Sequence, residues 1–582
     1  MTDRNPLHRR LRGTVLLLSV LGPLVLAGCG GSPTPAAVPT QGGEAGAGLT
    51  GVRAPSDEVG GTLRLVTGQV DSLDPQRSYL PGVWNLMRLY TRTLVTWSTE
   101  PGRTDELVPD LATDLGSTPD GGRTWTFTLR PGSSFETGRA ITSRDLKYGI
   151  ERSFASDVVV GGPTHVVDLL DPPDEPYAGP YQDESPDRLG LASIATPDDA
   201  TITFTLNEAT PDFPYVLALP SSGPVPAESD TGAAYGADPV SSGPYAITSV
   251  DPETGVRLER NPQWSPDSDD VRTALPDEVV LRTGLSGLER DQALLAGSAD
   301  ADLSGSGVQL ATTNRLGADE GLMGRVDDVT TGDVRLLALP TTVAPMDDPD
   351  CRAAVAAVVD RGGVQDALDG AGNAIRTSQL WPRSLAGSPT DPDPAPDLDA
   401  ARASLAACGR PDGFTTVLAV SDAPMSTAVA EELAGQLAAV GIVVEVRPLP
   451  AASFYATDIG NPATVTAAGY GMVLATATAD FPTPGSFLTP LVDGRTLRSV
   501  GNTDHAQLSD PGVNAAVDAA RAAPDPAAAL EGWREVARIA QATNAYVPLA
   551  ENRVQLLAGQ RLRNGVVVQT FGAYDVATAG VR

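Results

Sequence analysis

The chain has 582 residues, 41% hydrophobic and 20% charged, with a formal charge of −32 and three cysteines. That length suffices for two or three domains with a large core, and the composition is that of a globular protein, not a disordered one. So acidic a surface repels phosphate backbones and excludes nucleic acid as a partner. Lys147, the single lysine, follows Leu146, so no Gly-Lys exists for a phosphate-cradling nucleotide loop.

Arg4, Arg9, Arg10 and Arg12 precede an apolar run over 14–26, the layout of a secretory signal and shorter than the ~20 residues a spanning helix needs. Leu26-Ala27-Gly28-Cys29 resembles the lipobox of bacterial lipoproteins. The resemblance implies that Cys29 is diacylated, becomes the first residue of the mature chain, and holds it to the extracytoplasmic face of the cell membrane. Residues 1–28 carry four arginines against Asp3, so the mature chain has a formal charge of −35. Residues 29–58, mostly Gly, Ser, Pro, Thr and Ala at first, read as a flexible tether.

In the body, the alternation of Thr62-Leu63-Arg64-Leu65-Val66 predicts a strand, followed by a turn at Asp71-Ser72-Leu73-Asp74-Pro75 and a helix around Trp84. Trp125, Phe127 and Leu129 share one face of a second strand. Thr142 and Asp145 have capping-box spacing, and Leu146, Ile150 and Phe154 then recur on one helix face. Ile202, Phe204 and Leu206 alternate as another strand. Near the end, a strand over 415–420, a helix over 426–440 stopped by Gly441, and a strand over 442–446 form a β-α-β unit, which implies parallel pairing. Outside the cytoplasm Cys351 and Cys408 are either a disulfide or two buried thiols.

The runs Leu107-Val108-Pro109-Asp110-Leu111-Ala112, Thr124-Trp125-Thr126-Phe127-Thr128-Leu129-Arg130-Pro131-Gly132, Ser241-Ser242-Gly243-Pro244-Tyr245 and Gly297-Ser298-Ala299-Asp300 together resemble the extracellular solute-binding proteins of family 5. These are the dipeptide- and oligopeptide-type receptors of ABC importers. The resemblance implies an α/β, bilobal periplasmic-binding-protein-like fold of the type II, large peptide-binding class, with an extra N-terminal subdomain. The expected organisation is signal 1–28, tether 29–58, lobe I over 59–97, a small subdomain over 98–197, lobe I again over 198–288, lobe II over 289–545 and lobe I over 546–582. It implies a monomeric receptor that captures a small solute, by family default a peptide, and hands it to permease subunits. The same fold binding a glycoside, opine or metal chelate, or acting as a cell-surface sensor, is the alternative.

The segment Ala477-Thr478-Ala479-Asp480-Phe481-Pro482 resembles the family's Trp-x-Ala-Asp-Tyr run, and Asp480 falls on the aspartate that pairs with a peptide's amino terminus. Ala477 stands where peptide binders usually have tryptophan. Ser72, Leu73 and Asp74 resemble a loop lining the family's cleft, and Tyr79, Trp84, Tyr470 and Phe481 are candidate ligand-stacking aromatics. No Gly-x-Ser-x-Gly elbow or His-Glu-x-x-His pair occurs, so neither an enzyme nor a metal site is expected, nor any cofactor. His165 and His505 read as surface polar residues.

Overall fold

The strand at Thr62–Val66 lies inside a five-stranded sheet, between Ala301–Asp302 and Glu278–Arg282, with Gly255–Arg260 and Tyr245–Asp251 beyond. It pairs in parallel with Ala301–Asp302 and Glu278–Arg282, Leu65 standing opposite both Ala301 and Leu281. The computed structural model describes residues 44–582 except Pro173, Glu175, Pro252, Glu253, Thr390, Asp391, Pro392, Val500, Pro524 and Arg582. Cys29, the signal and the start of the tether lie outside the described residues.

Trp125, Phe127 and Leu129 turn inward from a three-stranded antiparallel sheet of Thr124–Thr128, Thr201–Thr205 and Ile194–Asp198. The capping box of Thr142 and Asp145 starts the helix Ser143–Arg152, and Leu146 and Ile150 are fully buried beneath it. This subdomain shares one core with the five-stranded sheet, and its strand Ile194–Asp198 crosses the boundary expected at 197, with Thr201–Thr205 beyond it.

Lobe II is built on a six-stranded sheet ordered Ala374–Arg376, Tyr546–Leu557, Val326–Ala338, Met472–Ala477, Thr415–Ser421 and Val443–Leu449. The expected β-α-β unit is present: Thr415–Ser421 and Val443–Leu449 pair in parallel around the helix Pro424–Ala438, whose Val429, Leu433 and Leu437 are buried. Separate apolar clusters cover the two faces of the sheet.

Two long strands, Val326–Ala338 and Tyr546–Leu557, carry the chain between lobes as an antiparallel pair. Val329 and Leu556 belong to the lobe I core, whereas Val334, Leu336 and Tyr546 belong to lobe II. The crossing therefore falls inside these strands, not at 289 and 546 as expected from the sequence. The register shifts between Thr330 and Val334, and Gly332 within the shift has φ of +80°, a conformation that a β-carbon disfavours.

The tether ends earlier than residue 58. Ala47–Thr50 is a short helix whose Gly48 N–H donates to Asp327, and Arg53 donates through Nε and Nη2 to both oxygens of Asp327 at 2.9 Å. Arg53 is 4% exposed, so one buried ion pair fixes a stretch too poor in apolar residues to fix itself. Cys351 and Cys408 are joined as a disulfide between the helices Pro349–Val358 and Leu398–Ala407, with Cα atoms 5.5 Å apart.

Candidate functional site

The strand Met472–Ala477 ends at the sheet edge facing lobe I, and a short loop follows before Thr483 caps the helix Pro484–Val492. Pro484 at the first helical turn fixes that start, since its missing N–H is one the turn leaves free. Asp480 therefore sits on a loop held at both ends by regular structure.

Its carboxylate is bound from across the cleft. The Tyr79 hydroxyl donates to Oδ1 at 2.9 Å, and His165 Nε2 lies 2.8 Å from Oδ2. Both Asp480 and His165 keep more than a quarter of their side-chain surface open, at 29% and 28%. Burial, and then the charge of Asp480, hold the Tyr79 proton above the ordinary phenol range, which suits a donor. Tyr79 precedes the helix Pro81–Met87, its N–H anchored on Asp71; His165 opens the helix His165–Leu170.

Neighbouring residues extend the contact. Phe481 stacks on Tyr215 with ring centres 5.8 Å apart and meets the His165 ring edge-on at 5.6 Å. The Thr483 hydroxyl donates to Asp212 Oδ2 at 2.7 Å. Arg498 pairs with Asp168 at 3.0 Å and Arg521 with Glu208 at 3.2 Å. Segment 480–483 is thus the clasp by which lobe II holds lobe I.

Of the residues expected to line the site, Asp480, Phe481 and Tyr79 meet here, and Ala477 lies half-buried at the strand end, packed on the lobe II core. Asp74 does not face the cleft: it is fully buried and takes two bonds from Arg152 at 2.9 and 2.8 Å. An unpaired carboxylate there would be costly, so the Asp-Pro turn is an internal strut. Leu73 is core, Ser72 accepts the Asp74 N–H, and both line a separate cavity of about 390 Å³ with Arg77, Gly236 and Val250. Trp84 is buried with its indole N–H on Ser78 O, and Tyr470 is buried in lobe II. These two are packing aromatics, not stacking surfaces.

The histidines depart from expectation. His165 is a partner of Asp480, and His505 is interior, 6% exposed, its pKa pushed down to about 4 by burial. The hydroxyl of Tyr546 donates to the neighbouring Asp504 Oδ1 at 2.7 Å, and burial pushes the Asp504 carboxyl up to about 8. Nothing in the local sequence marks His165, since its partner is 315 residues away. Among the described residues no three His, Cys, Asp or Glu side chains are grouped to hold a metal, and no helix is long and apolar enough to cross a membrane.

The geometry of two lobes meeting at a loop from a sheet edge has counterparts. The solved structure titled clavulanic acid biosynthesis oligopeptide binding protein 2 is 41% identical, with a TM-score of 0.89 over 93% of this chain and all of its own. The unliganded open form of the periplasmic murein tripeptide binding protein MppA matches at 18% identity and a TM-score of 0.70, over 91% of this chain and 98% of its own. Di/tripeptide-binding protein 1 of Pseudomonas aeruginosa (strain UCBPP-PA14) is 24% identical over 313 residues, half of this chain and 54% of that relative. The fold is thus the bilobal one of the periplasmic peptide-binding proteins. Residues 106–497 match the model of the bacterial extracellular solute-binding proteins, family 5 middle region, and the chain belongs to that family.

Proposed function

We propose that this protein is the peptide-capturing receptor of an ABC importer, lipid-anchored through Cys29 outside the cell membrane. The observation that carries the reading is Asp480: a carboxylate on lobe II, part-exposed and aimed at lobe I. A ligand ammonium held there would touch both lobes only in the closed arrangement, so binding would favour closure and present a loaded receptor to a permease. Nothing is transformed chemically. Micromolar affinity needs about −8 kcal/mol, within reach of one ammonium–carboxylate pair plus backbone hydrogen bonds.

Thermal unfolding of the purified chain with tripeptides bearing free or acetylated amino termini tests this. At 100 times its Kd a ligand adds about 2.7 kcal/mol of stability. Free peptides should raise the midpoint of wild type, and neither acetylated peptides on wild type nor free peptides on Asp480→Ala should do so. If no peptide shifts wild type, the peptide reading fails. A non-peptide solute is the second reading, favoured by Ala477, whose methyl group leaves room where a large aromatic wall would narrow the cleft.

A further inference from the structure

The six-stranded sheet of lobe II ends on two unequal edges. One is Ala374–Arg376, three residues long and so blunted by shortness; the other is Val443–Leu449, seven residues long. Val443 N–H donates to Phe414 O, and Leu449 O accepts from Asp422 N–H. Residues 443, 445, 447 and 449 therefore turn their backbone groups toward the neighbouring strand Thr415–Ser421. By alternation the N–H and C=O of Val444 and Val446, and the C=O of Pro448, point outward. Among the described residues none of these groups bonds to another segment.

The side chains of this edge are their own complement. Val443, Glu445, Arg447 and Leu449 share one face. Val443 is 59% exposed, and Glu445 and Arg447, 57% and 46% exposed, form an ion pair with each other and with no other described residue. Consider an antiparallel pairing with an identical strand that centres Val446 on Val446. Glu445 then stands opposite Arg447 and Arg447 opposite Glu445, while Val443 meets Leu449 and Val444 meets Pro448. The charge pairs fall at the non-hydrogen-bonded positions, where Cα atoms are ~4.5 Å apart and side chains are closest. The N–H groups of Val444 and Val446 each find a carbonyl of the other copy, and Pro448, which has no N–H, supplies only its carbonyl. Slipping one strand by two residues would set Glu445 on Glu445 or Arg447 on Arg447, so the charges select a single register.

We propose that Val443–Leu449 is a self-complementary edge through which two copies of this chain associate about a two-fold axis, joining their lobe II sheets into one continuous sheet. The pairing uses lobe II alone, so each lobe I stays free to turn about the crossing strands, and it is independent of what the cleft binds. A single strand pair is a small interface, and the strongly negative net charge opposes association, so the dimer is weak and concentration-dependent.

The test is sedimentation velocity of the full purified chain over a micromolar to submillimolar concentration series. Wild type should move from monomer toward dimer as concentration rises. Glu445→Arg sets arginine against arginine, and Arg447→Glu sets glutamate against glutamate. Each should dimerise about 2- to 30-fold more weakly, the range for losing two cross-strand charge pairs. The double variant, Glu445→Arg with Arg447→Glu, should regain wild-type association. An equimolar mixture of the two single variants should associate more tightly than either alone, because each then meets its opposite. Both positions are exposed, so the fold does not depend on them. A wild type that stays monomeric throughout overturns the inference. So does a dimer that both single variants keep undiminished, which would place the contact elsewhere on the surface, and so does a mixture no tighter than its components.

Discussion

His165 Nε2 and Asp480 Oδ2 lie 2.8 Å apart across the cleft, with 315 residues of chain between them. The carboxylate that would receive a ligand's ammonium is therefore also engaged by the opposite lobe. Removing one part-exposed hydrogen bond shifts an open–closed balance by about 0.5–1.5 kcal/mol, or about 2- to 12-fold. His165→Ala should thus give a larger radius of gyration in small-angle scattering of the ligand-free chain. An unchanged scattering curve would show that the contact does not contribute to closure.

Asp74→Ala should lower stability by about 1–3 kcal/mol, because it removes two charged hydrogen bonds from buried Arg152, which keeps Asp230 at 3.2 Å as its remaining ion-pair partner. A urea titration of the variant measures this. The affinity of the remaining folded protein for any ligand should not change; a selective loss of affinity would return Asp74 to the binding site.

The disulfide closes a separation of 57 residues. On the chain-entropy model, opening such a loop costs about 4 kcal/mol. Cys351→Ser with Cys408→Ser should lower the denaturation midpoint accordingly, and reducing agent should destabilise wild type but not the double variant. Equal midpoints for oxidised wild type and the double variant would refute it.

Asp504 and His505 make opposing contributions to stability as pH changes. The folded pKa of Asp504, raised to about 8, means that native protein holds a proton the unfolded chain loses near 4, so its contribution declines from pH 4 to pH 8. His505, lowered to about 4, is neutral when native and protonated when unfolded below 6.5, so its contribution grows from pH 4 to 6.5. Above pH 6.5 His505 no longer opposes Asp504, whose decline amounts to about 2 kcal/mol by pH 8. Asp504→Asn should make that limb about half as steep, and denaturant midpoints measured from pH 6 to 8.5 decide. A limb of equal slope in the variant would assign the decline to other groups, of which Glu151, also pushed up to about 8 by burial, is the first candidate.

Local periodicity made much of the fold legible. Alternation found the strand carrying Trp125, Phe127 and Leu129, the Thr142–Asp145 spacing found a helix start, and the helix stopped by Gly441 lies between parallel strands as the β-α-β pattern required. The crossing strand Val326–Ala338 was not legible, because Asp327, Asp328, Gly332 and Asp333 interrupt its apolar alternation for reasons that lie in distant partners. The site divides the same way. The run around Asp480 could be located, but whether Asp74 faces solvent or Arg152, and whether His165 is idle or bonded, depends on contacts 78 and 315 residues away.

Both passages between lobes are neighbouring strands of one hydrogen-bonded ladder. Sliding one lobe past the other would break rungs of that ladder, whereas bending at the register shift around Gly332 keeps them. The molecule is in effect left with one degree of freedom, an angle. A probe pair on the two lobes would then read occupancy as a single monotonic signal, and any ligand, whatever its chemistry, would have to act by choosing a value of that angle.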